Sequence, residues 1–486
     1  MNDAKGIYVV DILCILVVFN FCILGGKNSM TPEVEKIDKQ KKQLFKDVYD
    51  NKIPERVPIN FTMHMNVVAG FAGVHGRDAL WNSELLTEEC LKLADRLPSD
   101  VTIYGGNNHA PGYHQSLGSV TRIVSSTGFM QHPNTVGLNP EEYDIFIKNP
   151  IDCIIELVMP RNYRNLDFKK DPVRAMFSLT QALAQRDAHQ ARERAVSAAI
   201  REKHGGYAAT PGTRGGCFAP VDIVTDNVRS LSGMIMDIKR IPDKVDAAVT
   251  AVYPLNYHFG KPPKVADYPM VNYPLHIGSY LRDKEFERFF WNPLMRQTTD
   301  YASLGIHTQL FCEHDYMPKI NYLQDVPPGT VFQFEKCDPK LVKEKLGKKC
   351  ILTGGFPLEI LRIYNKQQCI DKTKEFLDIM MPGGGFIFQF DKSGLTSEDY
   401  NLENLQAVLE TVRDYGVYKN AGEKASWQTL NPGDYKHSDV PKLTSKYMRT
   451  WEQYKEANPN TPDNAKQKVM DQEETAFIRF VYGLCQ

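Results

Sequence analysis

Cys312, Glu313, His314 and Asp315 stand side by side in "HTQLFCEHDYMP", directly after an apolar run. Cys312 and His314 are two apart, so on an extended strand both point to one face. A thiolate beside an imidazole is a ligand pair that zinc favours, and a third ligand from a neighbouring strand leaves a fourth position open for chemistry. The same pair also reads as a buried thiol and a hydrogen-bonded histidine at a strand end. Asp391, closing "GFIFQFD", is the expected third ligand, with Glu335 as its competitor. Each carboxylate can instead pair with its neighbour, Lys392 or Lys336. Glu313 stands where an acid is useful. Other strand ends bring His64 and Asn66 in "FTMHMN", Asn107 and His109 in "GGNNHAP", and His276 in "PLHIGSY". His276 is expected to join Glu313 in catalysis. The other four are expected to hydrogen-bond a polar substrate. The glycines of "MPGGGFIF" suit a tight turn more than a phosphate cradle, because no Lys-Ser/Thr follows.

These positions matter only if strands deliver them to one place. The C-terminal half reads as strand–helix units: "HTQLFCE", "TVFQFE" with "DPKLVKEKLG", "CILTGGF" with "LEILRIYNKQQCIDKTKEFLDIM", and "GFIFQF" with "NLENLQAVLETVRDYG". Their almost wholly apolar strands imply a parallel sheet buried on both faces. An α/β fold is expected, a TIM (β/α)8 barrel rather than a doubly wound sheet. Catalytic groups of such a barrel come from strand C-termini and the loops after them. No GxGxxG follows an early strand, which argues against dinucleotide binding.

Earlier in the chain, Thr31 to Asp50 is charged with helical period, and "ERVPINF" and "DVTIYGG" read as strands. "SELLTEECLKLADRL" and "NPEEYDIFIKNP" read as helices, the second with an Asn cap. The segment "DPVRAMFSLTQALAQRDAHQARERAVSAAIREKHGG" reads as one long helix ended by Gly205. Val173, Met176, Phe177, Leu179, Ala182 and Leu183 are its expected buried face. Residues 1–29 form an apolar leader, expected to be a membrane anchor or sequence lying before a true start at Met30. Residues 30–420 are the expected barrel, with a helical extension at its start. Residues 421–486 are a polar C-terminal extension with Trp and Tyr anchors.

A chain of 486 residues, 42% hydrophobic and 24% charged, is long enough for a large core. Its net charge of −1 supplies no basic excess for a phosphate backbone, so nucleic acid is not an expected partner. Ten cysteines without a CxxC pair suggest free thiols in a reducing cytoplasm.

Several stretches together resemble the uroporphyrinogen decarboxylase superfamily: "PERVPI", "PVDIVTDNVRSLSGMIMDIKRIPDKVDAAV", "ILTGGFP", "MPGGGFIFQFDKSGL" and "NLENLQAVLETVRDYG". The resemblance spans roughly Gln43 to Gly416 and implies a TIM-type barrel with its site in the cleft at the strand C-termini. Decarboxylases of the superfamily hold substrate propionates with an Arg-rich segment after the first strand. "NFTMHMNVVAGFAG" has no Arg there, so a tetrapyrrole would lack counter-charges. "LNPEEYDIFIKNP" and "PLHIGSYLRDKEFERFFWNPLM" are similar to the corrinoid-dependent methyltransferases of the same superfamily. Thiol-specific members bind zinc by His-x-Cys and a later Cys. Here Cys312 and His314 stand in exchanged order, and Asp391 lies where the later Cys is missing. Fewer thiolates make zinc a stronger Lewis acid, suited to an ether oxygen. The resemblance therefore implies transfer of a methyl group from a small methoxylated substrate, aromatic ethers included, to the corrinoid of a partner protein. A corrinoid protein is the expected partner, zinc the expected metal, and a homodimer is admitted. The alternatives are a lyase acting on a small carboxylate, and a non-catalytic binding subunit.

Overall fold

In the computed structural model, residues 30–107 and 109–485 are described; the apolar leader 1–29 lies outside them. Helix α1, Pro32–Tyr49, starts where the Thr31 hydroxyl accepts the Val34 amide, and it buries Leu44, Phe45 and Val48. Two short parallel strands follow, β1 (Met63–His64) and β2 (Tyr104–Gly106). The long helix α2 is Pro172–His204, capped by Asp171. It ends at Gly205, which has a φ of +61°; a Cβ there would lie 2.9 Å from the Asp38 Cα, so no side chain fits. The buried face of α2 is Ala175, Ser178, Leu179, Ala182, His189, Val196 and Ile200. Val173 and Phe177, expected on that face, are instead 74% and 67% exposed. The apolar stripe of the first turns is wider than the surface that covers it.

A six-stranded sheet forms the centre: β3 (Arg214–Gly216), β4 (Met270–Leu275), β5 (His307–Asp315), β6 (Val331–Lys336), β7 (Ile351–Gly354) and β8 (Phe386–Ile387). Each strand pairs in parallel with the next, and the spatial order is the sequence order. Helices at Pro242–Gly260, Asn292–Ala302, Ile320–Leu323, Pro339–Leu346 and Lys366–Met380 lie in the crossovers, and Leu402–Tyr415 follows β8 and packs on Lys366–Met380. The outer face carries Tyr273, Leu275, Leu310, Phe332 and Leu352, all essentially inaccessible to water. The α/β class and the four strand–helix units expected from the sequence are thus present. Beyond the sheet edges, Ile59 makes a parallel contact with Phe388, and Val101 with Tyr207 on the segment leading into β3.

The extension after residue 420 packs on this body. Trp427 is buried, and the terminal helix Lys466–Cys485 buries Phe477, Val481 and Tyr482. The Tyr482 hydroxyl donates to Asn256 on the helix Pro242–Gly260 and accepts the Phe218 amide. Among the described residues no helix is long and apolar enough to cross a membrane.

Candidate active site

Along β5, Thr308, Leu310 and Cys312 are buried, while Gln309, Phe311 and Glu313 are half-buried. Phe311 and Glu313 line a cavity of about 340 Å³, so the alternation points Cys312 away from it, into the layer under the helices. After Cys312 the pairing with β6 slips, and His314 takes a left-handed φ of +63°. The slip breaks the alternation that would have put Cys312 and His314 on one face. His314 is exposed, its amide bonds the Glu335 carboxylate at 2.6 Å, and its ring stands edge-on to Tyr280. Burial holds the Cys312 thiol far above its usual range, as a neutral core group. Asp391 accepts the amides of Leu358 and Lys392 and so ties the end of β8 to the loop after β7. Cys312 is turned into the core, His314 lies exposed beyond the slip and Asp391 is held by two amides, so the three do not converge as a zinc site. No group of three or more His, Cys, Asp or Glu among the described residues is placed to hold a metal ion. Cys312→Ala is expected to lower stability by about 1 kcal/mol, the loss of one buried sulfur, and to leave activity in place. Denaturant midpoints and turnover of the same preparation check both halves; loss of activity with unchanged stability would restore the ligand reading.

The two residues expected in catalysis do meet. His276 Nε2 lies 3.4 Å from Glu313 Oε1, and its Nδ1 lies 2.6 Å from Asp226 Oδ2. The ring is thus held between two carboxylates, and one of these, Glu313, is on the cavity wall. Asp222, fully buried, accepts the amides of His276 and Ile277 at 3.0 Å each and fixes the loop that carries the ring. Asp222 and Asp226 both lie in "PVDIVTDNVRSLSGM", but nothing in that stretch assigns either a role. They sit four apart on Pro220–Val224 and the π-helical turn Thr225–Arg229 that continues it. The end of that turn is clamped by the buried Arg229–Asp237 pair, to which the Tyr143 hydroxyl adds a third bond.

Burial alone would lower the His276 pKa; its hydrogen bonds to Asp226 and Glu313 outweigh this and raise it to about 11. Burial first, then the Asp226 charge, pushes the Asp222 carboxyl up from the usual range. A histidine whose folded pKa is raised binds its proton more tightly folded than unfolded. The resulting stability is complete below the unfolded value of about 6.5 and is lost as pH rises through about 11. The native chain is expected to lose stability between pH 7 and 10 more steeply than His276→Asn. Urea midpoints across that range measure it; parallel slopes would contradict it.

The cavity is walled by Asn60, Gln333 and Gln389 and by the charged Glu313, Glu335 and Lys392. Polar side chains from several strand ends therefore face one space. His64 continues the half-buried face of Asn60 and Thr62, and its Nδ1 faces the Asn66 amide at 3.5 Å. The Asn66 Oδ1 is buried without a partner among the described residues. Asn107 is spent on the scaffold: Glu193 takes its amide, His189 faces its carbonyl, and its side chain accepts the His109 amide. Burial, then Arg122 and His132, lowers the His109 pKa to about 4, so that ring is neutral. Arg122 and His132 give no signal in the sequence, because they lie in a loop without periodic pattern. Compared with known proteins, the chain matches no family model and no curated protein.

Proposed function

We propose that the chain is a methyltransferase with a (β/α)8 barrel, moving a methyl group from a small methoxylated compound to the corrinoid of a partner protein. The barrel is supported by eight parallel strands, six in the large sheet and two in β1–β2, with contacts at both sheet edges, Ile59 to Phe388 and Val101 to Tyr207. The observation that carries the reaction is the Glu313–His276–Asp226 relay on the cavity wall. An ether carbon leaves its oxygen slowly, because alkoxide is a poor leaving group. A proton delivered to that oxygen as the carbon–oxygen bond breaks turns the leaving group into an alcohol. Glu313 reaches the substrate and His276 resupplies its proton, while Asp226 holds the imidazolium. The corrinoid enters as the second substrate and supplies the nucleophile that takes the methyl group. No step runs through zinc. The test is methylation of added cob(I)alamin from a panel of methoxylated donors, followed by absorbance.

A second reading, a lyase acting on a small carboxylate, is favoured by Arg122. Arg122, on a later loop, would supply the counter-charge missing from "NFTMHMNVVAGFAG". Carbon dioxide release without any corrinoid selects that reading.

A further inference from the structure

Outside the residues that wall the cavity, the chain groups imidazoles and a guanidinium that the methyl transfer does not use. After Leu117 the chain turns into a small antiparallel hairpin, with Ile123 opposite Gln131 and Val124 opposite Met130. The next pair in that register is Arg122 opposite His132. The hairpin is seated on the body, since a Cβ on Gly128 would come within 2.4 Å of the Gly76 carbonyl carbon. The His109 ring lies 5.9 Å from that of His132 and 6.1 Å from that of His114. His114 is buried, and its Nδ1 has no partner among the described residues. Arg122 is half-buried and makes no ion pair with any carboxylate among the described residues; Asp226 acts on it from a distance. The segment leading into the hairpin is tied to the turn that carries Asp226: the Val120 amide bonds the Asn162 carbonyl, and the Asn162 side chain donates to the Asn227 carbonyl. Asp226 in turn is the residue bonded to His276.

A desolvated guanidinium without a counter-ion is costly, and such groups are ordinarily paired. We propose that Arg122, His132 and His109 form an anion subsite that takes a carboxylate or phosphate group of the substrate. Arg122 offers the planar fork that matches such a group, and a neutral imidazole adds an N–H donor. An anion fixed there would leave the rest of a small molecule to extend toward Glu313 on the cavity wall. The inference rests on the cleft being the active site, but not on which bond is broken there.

Calorimetric titration of the full chain with benzoate, inorganic phosphate and neutral benzamide tests it. The native protein is expected to bind at least one of the two anions with a millimolar or tighter Kd and to ignore benzamide. Arg122→Gln is expected to weaken that binding about tenfold or more. Benzoate alone identifies a carboxylate ligand; phosphate alone identifies a phosphorylated one. The subsite is overturned if neither anion binds the native protein, or if Arg122→Gln binds as tightly. Arg122→Gln should fold, and His132→Gln, expected to weaken binding severalfold, carries the test if it does not. No methyl transfer with intact Arg122-dependent binding sinks the reaction alone; methyl transfer without anion binding sinks the subsite alone.

Discussion

His276→Asn is expected to lower kcat for methyl transfer by about 10²–10⁴-fold, the usual contribution of a positioned acid or base. Asparagine keeps a hydrogen-bonding side chain beside Asp226 but cannot exchange a proton. KM should move little, because His276 meets the substrate through Glu313 rather than binding it. Glu313→Gln should lose rate on the same scale, and the double variant little more than either single one, because the two act as one relay. A fall in kcat below tenfold for both variants, or losses that multiply, would remove the relay from the reaction. The geometry behind this is specific: His276 reaches Glu313 at one nitrogen and Asp226 at the other.

Asp237→Ala is expected to cost about 3–5 kcal/mol, because it leaves the buried Arg229 guanidinium unpaired. Both side chains of that pair are under a tenth exposed, 9% for Arg229 and 4% for Asp237. Tyr143 loses its acceptor in the same step. The pair also ends the π-helical turn that carries Asp226, so residual activity should show a weakened hold on the His276 proton, with the alkaline limb of its pH profile moved down. Denaturant unfolding gives the energy; a loss near 1 kcal/mol, the scale of an exposed ion pair, would mean that water already reaches Arg229.

Hydrophobic patterning makes most of the fold legible. Almost wholly apolar strands such as "TVFQFE" and "CILTGGF" lie in the parallel sheet, the Asn139 cap starts its helix as expected, and Thr31 and Asp171 cap two more. The site is legible in part. Glu313 and His276 each stand at a strand end and prove to be neighbours. Cys312 and His314 mislead because regular alternation fails across a bulge, and nothing in "FCEHD" announces the slip. Asp222 and Asp226 are visible as acids four apart, one helical turn, but nothing in the sequence says that the backbone and ring of His276 lie opposite them. Arg122 meets His132 through the register of a short hairpin with little apolar pattern to announce it. Val173 and Phe177 show the converse, apolar period without a surface to cover it.

The most direct measurement is single-turnover methylation of cob(I)alamin by the full chain and by Glu313→Gln, across methoxylated donors and pH. At least one donor is expected to methylate the corrinoid with the native protein, and Glu313→Gln is expected to slow that step about 10²-fold or more. Equal rates for the two proteins, or carbon dioxide release with no methylated corrinoid, would contradict it.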